Sequence, residues 1–492
     1  MKPYILSIDA GTTGITVLIL NKKAAIIKKY YKEFTQYYPH PGWVEHDGEE
    51  IWDVTHNLIQ SAFQDYSPED CAAIGITNQR ETTIIWDRKT GKPIHNAIVW
   101  QCRRTQKICQ ELKDAGHEDL FNNKTGLVIN SYFSGTKIKW LLNNVNGARE
   151  NAESGNLAFG TIDSWLLWKL TGSYVHATDF TNASRTMIFN IETKEWDKEL
   201  LRILEIPPSL LPEVNNSSGK FGETDEKLFG VSVPITGIAG DQQAALYGQG
   251  CFEAGETKCT YGTGCFLLTN TGTKRINSTS GLLTTIACNA EGKPIYALEG
   301  SVFIGGAVIQ WLRDEMQILS KTSDAEKMAQ AVESSNGVVI VPAFTGLGAP
   351  YWDMDARGII TGLTRGSNRN HIVRAALESI AFQVNDLLDS IFTDLDFTIS
   401  SLQVDGGATA NNFLMQFQSD ILRMKIDRPK NIESTALGAG MLAGLGAGFW
   451  SDPSELKAVR SSDKIFIPTI DNNTCTTLLR AWKKAVQKAQ TS

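Results

Sequence analysis

The stretch Tyr4-Ile5-Leu6-Ser7-Ile8-Asp9-Ala10-Gly11-Thr12-Thr13-Gly14-Ile15-Thr16-Val17-Leu18-Ile19-Leu20 decides the fold. Tyr4 to Ile8 reads as a short buried strand, Gly11 to Gly14 turns it, and Ile15 to Leu20 returns it. A second turn, Asn21-Lys22-Lys23, leads into Ala24 to Tyr31 and completes a three-stranded meander. A similar phrase recurs in the second half. Thr257 to Tyr261 runs into Gly262-Thr263-Gly264, then Cys265 to Thr269, then the turn Asn270-Thr271-Gly272. Strand patterns over Leu282 to Cys288 and Pro294 to Leu298 follow. Two related α/β domains facing each other across a cleft would explain the repeat, with one glycine turn from each and a nucleotide between them.

At 492 residues the chain is too long for one ordinary core. The boundary is placed near residue 250, giving an N-terminal domain over 1–250 and a C-terminal domain over 251–492. A net charge of −7 offers no basic footprint, so nucleic acid is not an expected partner. The first residues run straight into a strand pattern without a signal-peptide profile. Eight cysteines include no Cys-x-x-Cys pair, which suits free thiols and a cytoplasmic setting. Ser434 to Ser451 is uncharged but crowded with glycine, the pattern of a close-packed buried helix rather than a membrane span. Its Gly438-Ala439-Gly440-Met441-Leu442-Ala443 matches a loose dinucleotide fingerprint, but no strand directly precedes it. Helical stripes are expected over His371 to Phe392 and from Ile309 to Met316.

Asp9 closes the first strand beside a turn whose N–H groups and hydroxyls suit a phosphate, and its carboxylate suits Mg²⁺. An ordinary hairpin corner describes the turn equally well. Arg80 and Glu81 follow an apolar run, Ala72 to Ile76. Strand neighbours point to opposite faces, so both can meet one ligand only if Asn78-Gln79 ends the strand. Together they suit adjacent hydroxyls. Read alone, a solvated couple at a strand end describes them somewhat better. Asp241 is the one carboxylate in Gly237-Ile238-Ala239-Gly240-Asp241-Gln242-Gln243-Ala244-Ala245. It is a candidate general base toward an alcohol, with an N-cap for a helix starting near Gln243 as the alternative. Gly406-Gly407, between the strand Leu402 to Val404 and a helix from Asn412, offers an open backbone to a nucleotide. No Gly-x-x-x-x-Gly-Lys-Ser/Thr sequence occurs, so ATP would be held without a P-loop.

With these motifs in order, the chain resembles the glycerol-phosphorylating members of the FGGY family of carbohydrate kinases over essentially its whole length. The likeness rests on Gly75 to Thr83, Ala97 to Thr105, Asp179 to Met187 and Pro342 to Trp352, and on two family-wide signatures, Tyr132 to Trp140 and Gly358 to Glu378. It implies a sugar-kinase/actin-type fold of two ribonuclease-H-like domains, with Mg-ATP in the cleft. Carried over by motif, Arg80, Glu81, Tyr132, Asp241 and Gln242 would bind glycerol, with Asp241 as base and Trp100 and Phe266 walling the carbon backbone. Thr12, Thr13, Gly14, Thr263, Gly306, Gln310, Gly407 and Asn411 would hold ATP or ADP, and Asp9 and Asp241 would hold Mg²⁺. A homodimer or homotetramer without membrane insertion is the expected assembly. The alternatives are another polyol or ketose kinase of the family, against which Arg80-Glu81 argues, and a non-catalytic nucleotide sensor, against which Asp241 argues.

The chain departs from the family pattern in places. The first phosphate turn usually ends in two serines and an arginine, where this chain has Gly14, Ile15 and Thr16. Glu226 to Ser232 lacks the glycine- and arginine-rich loop through which some relatives bind a sugar bisphosphate inhibitor, and no histidine lies between Pro212 and Pro234. One lysine is a poor pocket for two phosphates. Fructose 1,6-bisphosphate titrated into a glycerol phosphorylation assay should therefore give no saturable inhibition below millimolar concentration once Mg²⁺ chelation is corrected; inhibition there would show that another surface forms the site.

Overall fold

Tyr4–Ala10, Gly14–Asn21 and Ile26–Glu33 pair antiparallel in sequence order, as the alternation of apolar runs and turns requires. The computed structural model describes residues 2–396 and 398–491. The meander is one side of a six-stranded sheet. Cys71–Asn78 adds parallel to Tyr4–Ala10, Pro234–Gly240 parallel to Cys71–Asn78, and Ser218–Glu223 closes the far edge antiparallel.

The second sheet repeats this plan. Thr257–Tyr261 pairs antiparallel with Cys265–Gly272, which pairs antiparallel with Pro294–Val302. On the other side Ser401–Asp405 and Lys425–Pro429 add parallel, and Ser462–Phe466 closes antiparallel. Leu283–Cys288 is one extra edge strand. The two glycine turns occupy the same corner of the two sheets, and each is closed by a like bond: Gly11 N–H to Gly14 O at 3.0 Å, Gly262 N–H to Gly264 O at 2.9 Å. The recurrence read in the sequence is thus a repeat of strand order and direction.

Parallel strands buried on both faces need helices on both. Alternate residues of the first sheet divide accordingly. Leu6, Ile8, Val17 and Ile76 pack with Ile51, Val54, Leu58 and Ile59 of helix Gly48–Asp65. Ile5, Leu18, Ala73 and Ala239 pack on the other side with Ala244, Leu437, Met441 and Ala443. The last three belong to helix Ser434–Gly446, so a helix from the second half of the chain covers the first sheet. In the second lobe the core gathers on helix Arg369–Asp394, which carries the expected stripe and is closed by an Asn368–His371 capping box. All eight cysteines are free and buried.

Several elements end a few residues from their expected bounds, as Ile26–Glu33 does against Ala24 to Tyr31, and as Cys265–Gly272 does by taking in the expected turn after Thr269. The strand from Pro294 continues past Leu298 to Val302, and the helix expected near Gln243 begins at Asp241. Both shifts bear on the site. The loose dinucleotide fingerprint lies inside helix Ser434–Gly446, away from any strand-to-helix turn, as its rejection required. Among the described residues no helix is long and apolar enough to cross a membrane.

The glycines of that helix serve close approach. A Cβ on Gly438 would sit 1.9 Å from the Ala244 carbonyl oxygen, and one on Gly75 would sit 2.2 Å from that of Ala439. In an open helix, glycine to alanine gains about 1 kcal/mol. Overpacking costs about 1–3 kcal/mol, and a backbone oxygen inside 2 Å places Gly438 at the upper end. Gly438→Ala should therefore lose about 1–2 kcal/mol net, read as a lowered thermal midpoint. An unchanged or raised midpoint would mean that the helix can stand off helix Asp241–Gly248 at no cost.

Candidate active site

Cys71–Asn78 ends where Asn78-Gln79 was expected to end it. Glu81 then takes φ +60°, a left-handed conformation that costs a residue with a Cβ roughly 1–2 kcal/mol. The turn sends Arg80 and Glu81 into the same space. Each is only 2% exposed, so the solvated couple that their sequence suggested is not what forms. A buried charge needs a partner, and two supply it from afar. Arg80 grips Glu299 with both ends of its guanidinium, Nη1 to Oε2 at 2.6 Å and Nη2 to Oε1 at 2.9 Å. Arg185 donates from Nε to Glu81 Oε1 at 2.6 Å and from Nη2 to Glu299 Oε1 at 3.0 Å. Arg80 Nε lies 3.8 Å from Glu81 Oε1 and closes a four-membered, charge-neutral ring. Burial pushes the Glu299 carboxyl up, but Arg185 and Arg80 outweigh it and hold it at about 2. Burial raises Glu81, and the same guanidiniums pull it only partly back.

Asp241 opens helix Asp241–Gly248, with Gly240 as N-cap. The capping role weighed for Asp241 is therefore not the one it plays. Its Oδ1 accepts from Gln242 N–H at 2.7 Å and stands 3.1 Å from Arg80 Nε. Burial raises its carboxyl, with Arg80 and Lys258 opposing. Lys258 is fully buried and donates to Gln242 Oε1 at 2.5 Å and to Thr260 Oγ1 at 2.9 Å. An ammonium only donates, so Gln242 must turn its oxygen to Lys258, leaving its NH₂ for the cavity.

A cavity of about 610 Å³ gathers Asp9, Thr12, Thr13, Arg80, Glu81, Trp100, Tyr132, Asp241, Gln242, Thr263, Phe266 and Gln310, together with Gly11, Gly262 and Gly264 of the two turns. Trp100 stands edge-on to Tyr132 and to Phe266, ring centres 5.7 and 6.0 Å apart, and its Nε1 donates to Thr12 Oγ1 at 3.0 Å. Gly262, Thr263 and Gln310 also line a second cavity of about 520 Å³ that holds Gly306, Gly407 and Asn411. Its walls include Ile309, Leu377, Ile380 and Leu414, with Thr322, Ser323 and Glu326 among its polar groups, a setting for a flat base with a polar edge. Gly14 alone of the expected site residues lies outside both cavities; a Cβ there would meet Lys32 O at 2.7 Å and the Tyr31 ring.

Arg80 is the one cation among the described residues lining the larger cavity, against Asp9, Glu33, Glu81 and Asp241. Burial first, and then Asp241, push the Asp9 carboxyl up to about 8. Two carboxylates that line one cavity and raise each other's cost of ionisation suit a divalent metal ion, whose remaining ligands would be phosphate and water oxygens. Among the described residues no three His, Cys, Asp or Glu side chains cluster as a metal site of their own.

Sequence reasoning passed over Glu299, Arg185 and Lys258. Ending the strand at Leu298 left Glu299 just outside it, whereas Ala297-Leu298-Glu299-Gly300-Ser301-Val302 carries one charge through the inner part of a strand. A buried charge in a strand needs a partner, and that signal was available. Arg185 lies within a quoted run but had no assigned role.

The family model for the N-terminal domain of the FGGY family of carbohydrate kinases matches residues 4–248, and that for its C-terminal domain matches 257–447. The chain is 58% identical to a glycerol kinase of Carboxydothermus hydrogenoformans, over 99% of this chain and 98% of that one. It is 57% identical to the one of Thermoanaerobacter pseudethanolicus, over 99% of each. A crystal structure of Plasmodium falciparum glycerol kinase with ADP superposes with a TM-score of 0.91 at 40% identity, covering 99% of this chain and 98% of that one. Matched in both halves and in the same order, with the repeated sheets facing one cleft, the chain belongs to the FGGY family of carbohydrate kinases.

Proposed function

We propose that the protein transfers the γ-phosphoryl group of ATP to glycerol, giving sn-glycerol 3-phosphate, as a step of glycerol uptake and catabolism. The observation that carries this reading is the single cavity in which Arg80, Glu81 and Asp241 meet both glycine turns. The full-length relatives supply the substrate.

Glycerol offers three hydroxyls on a short carbon chain. Arg80 and the Gln242 NH₂ would donate to them and Glu81 would accept, while Trp100 and Phe266 flank the C–H edges. Asp241 would accept the proton of the attacking hydroxyl. An ordinary aspartate is a weak base toward an alcohol, so its help comes late, as the proton turns acidic in a loose transition state. The N–H groups and hydroxyls of Thr12, Thr13 and Thr263 would hold the phosphates, and the second cavity would hold the nucleoside. A magnesium ion on Asp9 and Asp241, directly or through water, would neutralise charge on the transferring group.

Incubation with Mg-ATP and a panel of polyols, with identification of the phosphorylated product, tests the reading; turnover of a ketose and not of glycerol would sink it. Asp241→Asn should lower kcat by about 10²–10⁴-fold while glycerol still binds, and near-normal turnover would remove Asp241 from the chemistry. Arg80→Ala and Glu81→Ala should each raise KM for glycerol far more than KM for ATP. Each leaves partners unpaired in a buried site, at a cost of roughly 1–3 kcal/mol. An equal loss for both substrates would contradict the assigned roles.

A further inference from the structure

We propose that Glu299 is a positioning residue for polyol recognition, acting through Arg80 and Arg185. The proposal rests on reading Arg80 and Glu81 as glycerol ligands. Glu299 sits on Pro294–Val302, a strand of the second sheet, while Arg80 follows the Cys71–Asn78 strand of the first. Glu299 therefore reaches the polyol-binding arginine from the opposite lobe. It is fully buried and does not line the cavity, so it has no direct access to glycerol.

The geometry fixes what Glu299 can do. A carboxylate that accepts from both terminal nitrogens of a guanidinium sets the plane and direction of the group. Arg80 has its Nη1 on Glu299 Oε2 and Gln243 Oε1, and its Nη2 on Glu299 Oε1, with Tyr132 Oη at 3.5 Å. Its Nε is buried without a hydrogen-bond partner and lies on the Asp241 side. The fork thus consumes the far end of Arg80 and aims the remaining donor capacity at the cavity. Glu299 Oε1 also accepts from Arg185 Nη2, and Arg185 Nε in turn holds Glu81 Oε1. Among the described residues no group hydrogen-bonds the other Glu81 oxygen, which stays open to a hydroxyl. One carboxylate thus orients both the donor and the acceptor of the polyol site. Ser301 Oγ steadies it, donating to Oε1 at 3.1 Å.

Replacing Glu299 by glutamine keeps the shape but puts an NH₂ where one guanidinium donates. It also leaves two arginines against Glu81. Arg80 should then turn toward Asp241 and Glu81, and its donors should miss the hydroxyls. A site built to hydrogen-bond a hydroxyl rejects analogues that lack it, so discrimination between glycerol and propane-1,2-diol should fall with the aim of Arg80. A role confined to holding the fold would not change that ratio.

The test is steady-state kinetics with glycerol, propane-1,2-diol and Mg-ATP on the full chain. Glu299→Gln should raise KM for glycerol by about 10- to 100-fold, leave KM for ATP within about twofold, and narrow the glycerol-to-diol ratio of kcat/KM by about tenfold or more. Glu299→Asp, which keeps the charge, should recover part of that ratio. If the single substitution fails to fold, Arg185→Gln/Glu299→Gln restores charge balance and should show the same narrowing. Wild-type glycerol KM and discrimination in either folded variant would overturn the proposal. Absence of glycerol phosphorylation by the unsubstituted chain is a separate result and would overturn the functional reading beneath it.

Discussion

The structure depends on a charge-neutral ring buried across its cleft: Arg80, Glu299, Arg185 and Glu81, none more than 2% exposed. Charges held out of water must be paired, and removing one partner of such a pair costs far more than the pair contributes. The ring is thus weak evidence of stability and strong evidence of geometry. Three members belong to the first half of the chain and one to the strand next to the Leu283–Cys288 edge of the second sheet, so the two lobes must meet in one relative placement for all four to be satisfied. Glu299 shows the balance. Its carboxyl is held near 2, below the unfolded range near 4.5. Its stabilising contribution is complete above the unfolded value and is lost as pH falls toward the folded one.

The repeated sheets put a ligand where the ring can reach it. Each places a glycine turn at the corner between its first two strands, and the two turns line one cavity with the ring's inner face. The Ser434–Gly446 helix ties the arrangement together from behind. It leaves the second sheet, crosses to the first, and packs so closely that glycine stands at both contacts, Gly75 of the sheet against Ala439 and Gly438 against Ala244 of helix Asp241–Gly248. Thr435, near its start, also lines the cavity. The same helix therefore joins the back of the first sheet to the floor of the cleft.

Much of this was legible in the residues. The meander, its recurrence, the Arg369–Asp394 stripe and the glycine-crowded helix are local patterns, and local patterns survive folding. What could not be read was partnership. Arg80 and Glu81 looked solvated because their partners lie 219 and 104 residues away, Glu299 with Arg80 and Arg185 with Glu81. Sequence spacing carries no trace of such pairs. A cap was the alternative to a general base for Asp241, because a carboxylate before a helix often is one. The helix begins at Asp241 rather than near Gln243, which puts Asp241 in the first turn and its side chain at the cavity. The Leu298 boundary erred the same way and hid Glu299. Element ends are where sequence reading is least sharp, and functional side chains concentrate at element ends.

The substituted phosphate turn fits the electrostatics of the cavity. Thr16, which the resemblance sets against an arginine, is the cross-strand partner of Asp9 in the antiparallel register. Cross-strand partners lie roughly 4.5–5.5 Å apart at Cβ, close enough for a cation there to offset Asp9 directly. With none there, burial first and then Asp241 raise the Asp9 carboxyl to about 8. The one lining cation, Arg80, is already committed to Glu299. A polyphosphate entering this cavity at neutral pH would meet a largely protonated Asp9 at the turn and no cation beside it. On the proposed reading the compensation would come with the nucleotide, as a divalent ion whose charge would also favour the ionised form of Asp9. On the same reading, phosphate recognition would rest on a metal ion more than on the chain, and polyol recognition would rest on the ring.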